Sequence, residues 1–405
     1  MKKTFYRPLE EILARYANIL VNFALNSGQG VRRGEVVFLQ VPEAAKPLLI
    51  ALNRTVLKAS AHPIIQYVPN EMMKGFFQLA NDEQIKFFPA SFYRGRIRQA
   101  DHMITILAET DKHELEGVDP RKIMERNKAF KPYYDWQDKK ELAKKFTWTL
   151  GLYGTEAMAK EAKLTLEECW QQIIKACYLD FANPVKKWRQ VQVEIERVKA
   201  NLNKLAINKL HLESKGTDLV IGIGQNRKWA GGDGANIPSF EIFISPDFRL
   251  TEGKISFDFP LYRYGNLIKD IRLEFKKGKV SRVEAKKGEN ILREMIKVKG
   301  AKQIGEFSLT DVRLSRITKF MAETLYDENF GGRHGNVHIA LGSSYKETYS
   351  GHEEISRIRK KKWQEMGFNN SVIHTDIIST EDRIVTAYLE NGDKKVIYKN
   401  GRFTV

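Results

Sequence analysis

The first third of the chain alternates short apolar runs with an amphipathic stretch, and this pattern restricts the fold more than any other feature. Val36–Val41 and Pro63–Val68 are apolar runs, and residues 43–59 between them have helical periodicity. A strand, a helix and a strand in this order are typical of a parallel sheet with a right-handed crossover. Met103–Leu107 continues the series as a further buried strand, so we predict an α/β fold for this part.

The pattern changes after two long helices predicted within Lys163–Leu205. Short alternating segments separated by turns follow, which is typical of strands and hairpins. Helices expected around Ile291–Met295 and Ser315–Leu325 interrupt them, so the second half is predicted to be α+β. At 405 residues the chain exceeds a typical single domain. We therefore predict an α/β N-terminal domain with a helical connector at 1–200 and an α+β domain at 201–405.

The charge distribution and the composition of one turn argue against nucleic-acid binding and against mononucleotide binding. The turn Gln40–Glu43, after the first predicted strand, contains neither glycine nor lysine, which argues against a mononucleotide-binding loop. The net charge of +17 favours contact with polyanions, but basic residues such as Arg359–Lys362 are scattered and form no stripe with aromatic residues. We expect a solvated basic surface that could attract acidic peptides, with a nucleic-acid groove as the alternative.

The sequence also predicts a cytoplasmic location. Met1–Lys3 resembles the basic start of a secretory signal, but Arg7 and Glu10 interrupt the apolar run that would have to follow. No stretch reaches the ~20 apolar residues that span a bilayer. The two cysteines, Cys169 and Cys177, lie two turns apart in a predicted helix, so they cannot pair and suit a reducing compartment.

Histidines cluster near the C-terminus. Four of the eight lie between residues 334 and 374: His334, His338, His352 and His374. Asn336–Gly342 alternates as a strand, which places His338 on the face opposite its apolar residues. His334 falls in a turn beside Gly335, so it is left out of the predicted site, and His352 is left out as well.

His374 and Asp376 are the clearest local pair. Their two-residue offset on a strand points an imidazole and a carboxylate out of the same face, where they could bind one metal ion or two adjacent ions. The alternative is a surface hydrogen bond or salt bridge, which is the commoner role of such a triplet.

Two glutamates stand out in predicted strands. Glu241 shares a strand face with Phe243, and Glu306 follows Gly305, which would let backbone or ligand come close. Either alone would be explained by a structural salt bridge. With the histidines and the aspartate, they form a ligand set without thiolate that suits two ions such as zinc, cobalt or manganese. Such ions would activate water for hydrolysis of an amide, and Tyr345 could donate its phenol to the developing oxyanion.

The order and spacing of several segments resemble the metallo-aminopeptidases typified by aminopeptidase T and aminopeptidase S, the thermophilic aminopeptidase family. The resemblance covers nearly the whole chain and is carried by Lys215–Leu219, Asn236–Pro246, Gly305–Glu306, Thr324–Asn329, Asn336–Gly342 with Tyr345, and Asn370–Asp376. It implies a homodimer with an α/β N-terminal domain and a catalytic C-terminal domain, which removes residues from peptides with a free N-terminus. It implies that two metal ions are bound by Glu241, Glu306, His338, His374 and Asp376.

The same resemblance implies that Tyr345 is the active-site tyrosine. We predict that Tyr345 and Glu306 are the catalytic residues, and that the ions are zinc or cobalt, with manganese and magnesium as alternatives. Phe240 and Gly154 depart from the pattern, since a small or acidic residue and a proline are expected there. We expect Phe240 to alter the pocket for the substrate side chain. The competing hypotheses are an inactive relative that binds a polyanion such as RNA, and a metallo-amidohydrolase that acts on a different amide.

Overall fold

The first half of the chain is built around one four-stranded parallel sheet. In the computed structural model, which describes residues 6–405, its strands have the spatial order β2-β1-β3-β4. They are β1 Val36–Pro42, β2 His62–Val68, β3 His102–Leu107 and β4 Thr147–Leu152. All three strand pairs are parallel, with Val36 opposite His62 and His102 opposite Thr147. The predicted parallel sheet is therefore present; Met1–Lys3 lies outside the described residues.

Helices connect and cover these strands. They are α1 Glu10–Ile19, α2 Lys46–Lys58, α3 Met73–Leu79, α4 Asp82–Lys86, α5 Ala90–Gln99, α6 Pro120–Leu142, α7 Glu156–Glu161, α8 Leu166–Ala176 and α9 Pro184–Asn203. A π-helical segment, Leu20–Ala24, extends α1. Thr165 and Glu168 form a capping box at the start of α8, and Asn183 with Pro184 starts α9, so local sequence fixes where both helices begin.

The second half contains two antiparallel sheets. The larger has the order β11-β10-β8-β6-β5-β15-β16-β17, with β9 paired to β10, and the smaller has the order β14-β13-β12-β7. The strands are β5 Ile207–Ser214, β6 Thr217–Gly222, β7 Glu241–Ile244, β8 Thr251–Phe257, β9 Leu261–Arg263, β10 Asn266–Lys276, β11 Lys279–Lys287, β12 Ile304–Thr310, β13 Asn336–Gly342, β14 His374–Ser379, β15 Ile384–Leu389, β16 Lys394–Lys399 and β17 Arg402–Phe403. Helices α10 Glu289–Met295, α11 Thr324–Asp327 and α12 Lys360–Glu365 lie between them.

The helix predicted for Ser315–Leu325 is wrong. Only the short α11 is α-helical there, and the residues before it are irregular. The Ser315 hydroxyl donates to the Asn329 carbonyl, and the Asp327 carboxylate accepts from the backbone amides of Met321 and Glu323. These side chains satisfy backbone groups that would otherwise pair within a helix, which is how short polar residues compete with helical structure.

The two halves share one hydrophobic core and are joined at the edge of the parallel sheet. The backbone amide of Leu150 in β4 donates to the Ala235 carbonyl, and the amide of Ile237 donates back to the Leu150 carbonyl, both over 2.9 Å. Buried side chains of both halves belong to one core cluster. Because the two halves share this core, the domain boundary predicted at residue 200 stays a prediction.

Two expectations about the described residues can be compared directly with the structure. Cys169 and Cys177 are both buried and unpaired, as their helical spacing predicted. No helix within residues 6–405 is both long enough and apolar enough to cross a membrane.

Candidate metal centre

Strand pairing in the smaller sheet places five acidic and imidazole side chains on one face. Residues directly opposite each other on paired strands share a face, as do alternate residues along one strand. Ala340 lies opposite Glu306 on one side and Asp376 on the other. Ser308 likewise lies opposite both His338 and Phe243. Glu241 is two residues before Phe243 on β7, so its side chain points to the same face. The shared face therefore carries Glu241, Glu306, His338, His374 and Asp376.

A β-bulge at Gly305 sets the direction of Glu306. Ile304 pairs with Leu341 and Glu306 with Ala340, so Gly305 is the extra residue in β12. A Cβ atom at Gly305 would lie 2.1 Å from the Ser343 carbonyl oxygen, a distance that no side chain tolerates. The backbone of Ser343 therefore makes the close approach that was predicted at this glycine.

The five side chains form two groups that share Glu306. In the first, His338 Nε2 lies 3.3 Å from Glu241 Oε2 and 3.6 Å from Glu306 Oε1. In the second, His374 Nε2 lies 3.1 Å from Glu306 Oε2 and 3.3 Å from Asp376 Oδ1. The two oxygens of Glu306 thus face different groups, as a carboxylate that bridges two cations would.

These distances fit divalent metal ions. Nitrogen and oxygen ligands at about 2.1 Å from a tetrahedral ion lie ~3.4 Å apart, close to the spacings within each group. The His374 Nδ1 must donate to the Ser343 carbonyl, 2.9 Å away, because that oxygen can only accept. The ring is therefore oriented with Nε2 towards Glu306 and Asp376, an arrangement common in metal-binding histidines.

The carboxylates and imidazoles shift one another's pKa values. Burial by itself would lower the pKa of both imidazoles. Glu241 and Glu306 nevertheless raise the pKa of His338 well above its usual range, and Asp376 and Glu306 do the same for His374. Burial also opposes the negative form of Asp376, yet the charge of His374 lowers its pKa to about 2. A metal ion bound at either imidazole would have to displace its proton, so the affinity of such a site would rise with pH.

The two ligand groups open into a cleft between the halves of the chain. The cleft has a volume of about 720 Å³, which suits a small ligand or the end of a peptide, and Trp148 and Phe146 contribute to its N-terminal side. Tyr345 lies over the site, with its ring centroid 4.7 Å from that of His374 and 5.4 Å from that of Phe243. Desolvation and the charges of nearby carboxylates raise the pKa of Tyr345 well above its usual range, so the phenol remains a proton donor at neutral pH.

A family model described as thermophilic metalloprotease (M29) matches residues 9–403. The chain belongs to the M29 metalloproteases. It is 27% identical to Aminopeptidase T of Thermus thermophilus over 410 residues, which cover 95% of this chain and 98% of that protein. It is 25% identical to Aminopeptidase AmpS of Bacillus subtilis, again over 95% of this chain and 98% of the relative.

A solved structure of wild-type AmpT from Thermus thermophilus has the same fold as this M29 chain. The TM-score is 0.83 at 24% sequence identity, and the match covers 98% of this chain and 100% of that one. The predicted family, the α/β plus α+β fold and the enzyme class of metallo-aminopeptidase are thereby confirmed. The roles assigned to individual residues, and the domain limits, stay predictions.

Phe240 does not shape the cleft of this M29 protein, so the expectation that it alters the substrate pocket is wrong. Its ring is fully buried and stacks on Trp188, with centroids 5.3 Å apart and planes within 13°. Strand alternation explains this, because Phe240 and Glu241 point to opposite faces. Gly154 also lies away from the five candidate ligands, since a Cβ there would meet Ile173 and Cys169 in the core of the first half.

Glu328, a buried carboxyl that lines the same cleft, is not among the residues predicted from the sequence. Asn236 Nδ2 donates to Glu328 Oε1 over 3.2 Å. Burial and the charges of Glu241 and Asp376 raise the pKa of Glu328 well above its usual value, although the charge of His338 lowers it. Glu328 belongs to a segment that carried the resemblance, but it follows the short α11, where no strand periodicity could show the direction of its side chain.

The two histidines left out of the predicted site lie elsewhere. His334 Nδ1 is 3.4 Å from Asp382 Oδ1, and His352 is exposed. Neither side chain belongs to the two groups around Glu306.

Proposed function

We propose that the chain is an aminopeptidase that removes N-terminal residues from peptides with two divalent metal ions. The observation that carries this proposal is the shared Glu306, whose two oxygens face two separate groups of ligand atoms on one sheet face. The five ligands would be Glu241, Glu306, His338, His374 and Asp376. Membership of the M29 family supports metal-dependent peptide hydrolysis, and the names of the relatives support action at the N-terminus.

Two divalent ions held by these residues would polarise the scissile carbonyl and provide a water nucleophile at neutral pH. The protein contributes position and hydrogen bonding. Tyr345, protonated at neutral pH, would donate to the oxygen that becomes negative during attack. Mixed imidazole and carboxylate ligands favour zinc or cobalt, with manganese or magnesium as alternatives.

The direct test compares a peptide with a free N-terminus and its N-acetylated form, after the protein has been stripped with a chelator and reloaded with zinc or cobalt. We expect the stripped protein to be inactive and the reloaded protein to release the N-terminal residue only from the free peptide. Equal hydrolysis of both peptides would instead indicate an amidase of a different kind. Retention of RNA in a salt-dependent manner, without any peptidase activity, would favour the polyanion-binding alternative.

We also propose that the chain forms a homodimer. Strand β2 is an edge of the parallel sheet and carries the exposed side chains of Ile64, Ile65 and Tyr67. An edge strand with apolar side chains is prone to pair with another surface. Sedimentation velocity should give about twice the chain mass of 46.7 kDa, and a species of 46.7 kDa at micromolar concentration would contradict the proposal.

The proposed compartment is the cytoplasm. The two buried thiols are unpaired, which agrees with a reducing environment. Fractionation of the source cells would locate the protein, and recovery outside the cytoplasmic fraction would refute this proposal.

A further inference from the structure

A second cavity, with a volume of about 260 Å³, adjoins the candidate metal centre and shares Asp376 with the cleft. It is enclosed by the β9–β10 hairpin, by the loop after β3 and by the segment around α11, and we call it the Arg263 cavity after the arginine that lines it. Ile378 lines it too. Because Asp376 and Ile378 alternate along β14, the cavity continues the sheet face that carries the proposed ligands.

The tip of the β9–β10 hairpin forms one wall of the Arg263 cavity. Arg263 pairs with Asn266, and Tyr264 and Gly265 between them have φ values of 52° and 72°, as a two-residue type I′ turn requires. A Cβ atom at Gly265 would lie 2.6 Å from the Glu116 backbone nitrogen, so the tip fits closely against the first half. A tyrosine with positive φ is strained where asparagine is usual, so its side chain is kept at a conformational cost.

Two donors in this wall have no acceptor. Arg263 Nε and the Tyr264 hydroxyl are both buried and have no hydrogen-bond partner among residues 6–405. The two side chains are adjacent, since Arg263 Cζ lies 4.7 Å from the centroid of the Tyr264 ring. Buried N–H and O–H groups without a partner are costly, and native structures usually satisfy them. This pair therefore needs an acceptor that the described part of the chain does not provide.

The acidic side chains that line the same cavity are engaged elsewhere; they are Glu109, Glu323, Asp327 and Asp376. Lys112 forms salt bridges with Glu109 and, over 3.0 Å, with Glu323. The Asp327 carboxylate accepts from two backbone amides of its own segment, and burial raises the pKa of Asp327 well above its usual value. Asp376 belongs to the second ligand group. Within residues 6–405, Arg263 forms no salt bridge, so its charge is left for a ligand.

A carboxylate is the group that these two donors fit. The guanidinium group presents planar N–H donors that match the two oxygens of a carboxylate, and the phenol adds an O–H donor beside them. Hydrogen bonds from a cation to a carboxylate are also stronger than those between neutral groups. Peptide hydrolysis offers such a group in two ways, because an acidic first residue carries one in its side chain and cleavage forms one on the released amino acid.

We propose that the Arg263 cavity binds a carboxylate of the peptide ligand through the Arg263 guanidinium group and the Tyr264 hydroxyl. This inference rests on the proposed aminopeptidase function and names a chemical group that the enzyme recognises beside its metal centre. Both sources of the carboxylate belong to the first residue of the peptide. That residue would lie next to Asp376, where the cleft and the cavity meet.

The test measures binding to the zinc-loaded protein by calorimetry for two pairs of ligands. Glutamic acid α-amide and glutaminamide differ only in the side-chain carboxylate, whereas leucine and leucinamide differ only in the main-chain carboxylate. Arg263→Gln should lower the affinity of the carboxylate relative to its amide about 30-fold, the effect of losing a hydrogen bond to a charged group. A loss in the glutamic acid pair identifies an acidic first residue as the source, and a loss in the leucine pair identifies the released amino acid.

Arg282→Gln is the matched control, because it makes the same change at an exposed position of β11 and should leave both ratios as in wild type. Wild-type ratios for both pairs in a folded Arg263→Gln protein would overturn the inference. If Arg263→Gln does not fold, Tyr264→Phe decides, since it removes only the hydroxyl and should lower one ratio about fivefold; no change there would also overturn it. A wild type that hydrolyses no free peptide refutes the proposed function, whereas the calorimetric ratios still show whether the cavity recognises a carboxylate.

Discussion

Replacing Glu306 with alanine is expected to remove both bound metal ions. Peptide hydrolysis should fall by about four orders of magnitude, because removing one member of a catalytic unit costs nearly as much activity as removing the whole unit. The two oxygens of Glu306 face two different ligand groups, so the substitution takes one ligand from each. It also leaves His338 and His374 with one carboxylate neighbour fewer. The measurements are elemental analysis of the purified protein and kcat/KM for a free peptide.

Glu194→Ala provides a matched control for this variant. Glu194 lies on an exposed part of α9, so its removal should change neither the metal content nor the rate. Circular dichroism would show whether the Glu306 variant is folded. A folded Glu306→Ala protein that kept two metal ions and wild-type activity would disprove the metal site as proposed.

Replacing Tyr345 with phenylalanine is expected to lower kcat by a factor of about 10² to 10³, the usual effect of removing one donor to an oxyanion. The remaining ring can still pack against Phe243 and His374, so the cleft keeps its shape. Because the phenol is proposed to act in the transition state, KM and metal content should change little. Steady-state kinetics on a free peptide provide both constants.

The Tyr345 variant can also be distinguished from a metal-site defect. Glu306→Ala loses metal ions and activity together, whereas Tyr345→Phe should lose activity with both ions bound. A rise in KM with an unchanged kcat would show that Tyr345 binds the substrate instead of stabilising the transition state. An unchanged kcat and KM would remove Tyr345 from the mechanism.

Features with local signals could be predicted from the sequence. The apolar runs of β1, β2 and β3, with helical periodicity between the first two, indicated the parallel sheet, and alternation in β13 gave the face on which His338 lies. The order of motifs led to the family and therefore to the five proposed ligands. The predicted helix at Ser315–Leu325 failed because polar side chains there bind backbone groups, which helical periodicity does not reveal.

The sequence by itself determined which residue types could bind metal ions and which strands carry them, because side-chain direction repeats every two residues along a strand. Only the tertiary structure decided how those strands align. Cross-strand register and the bulge at Gly305 bring Glu306 between two ligand groups, and both depend on contacts between residues far apart in the chain. The burial of Phe240 against Trp188 and the meeting of Glu328 with Asn236 were decided in the same way, since no local pattern encodes a contact across the fold.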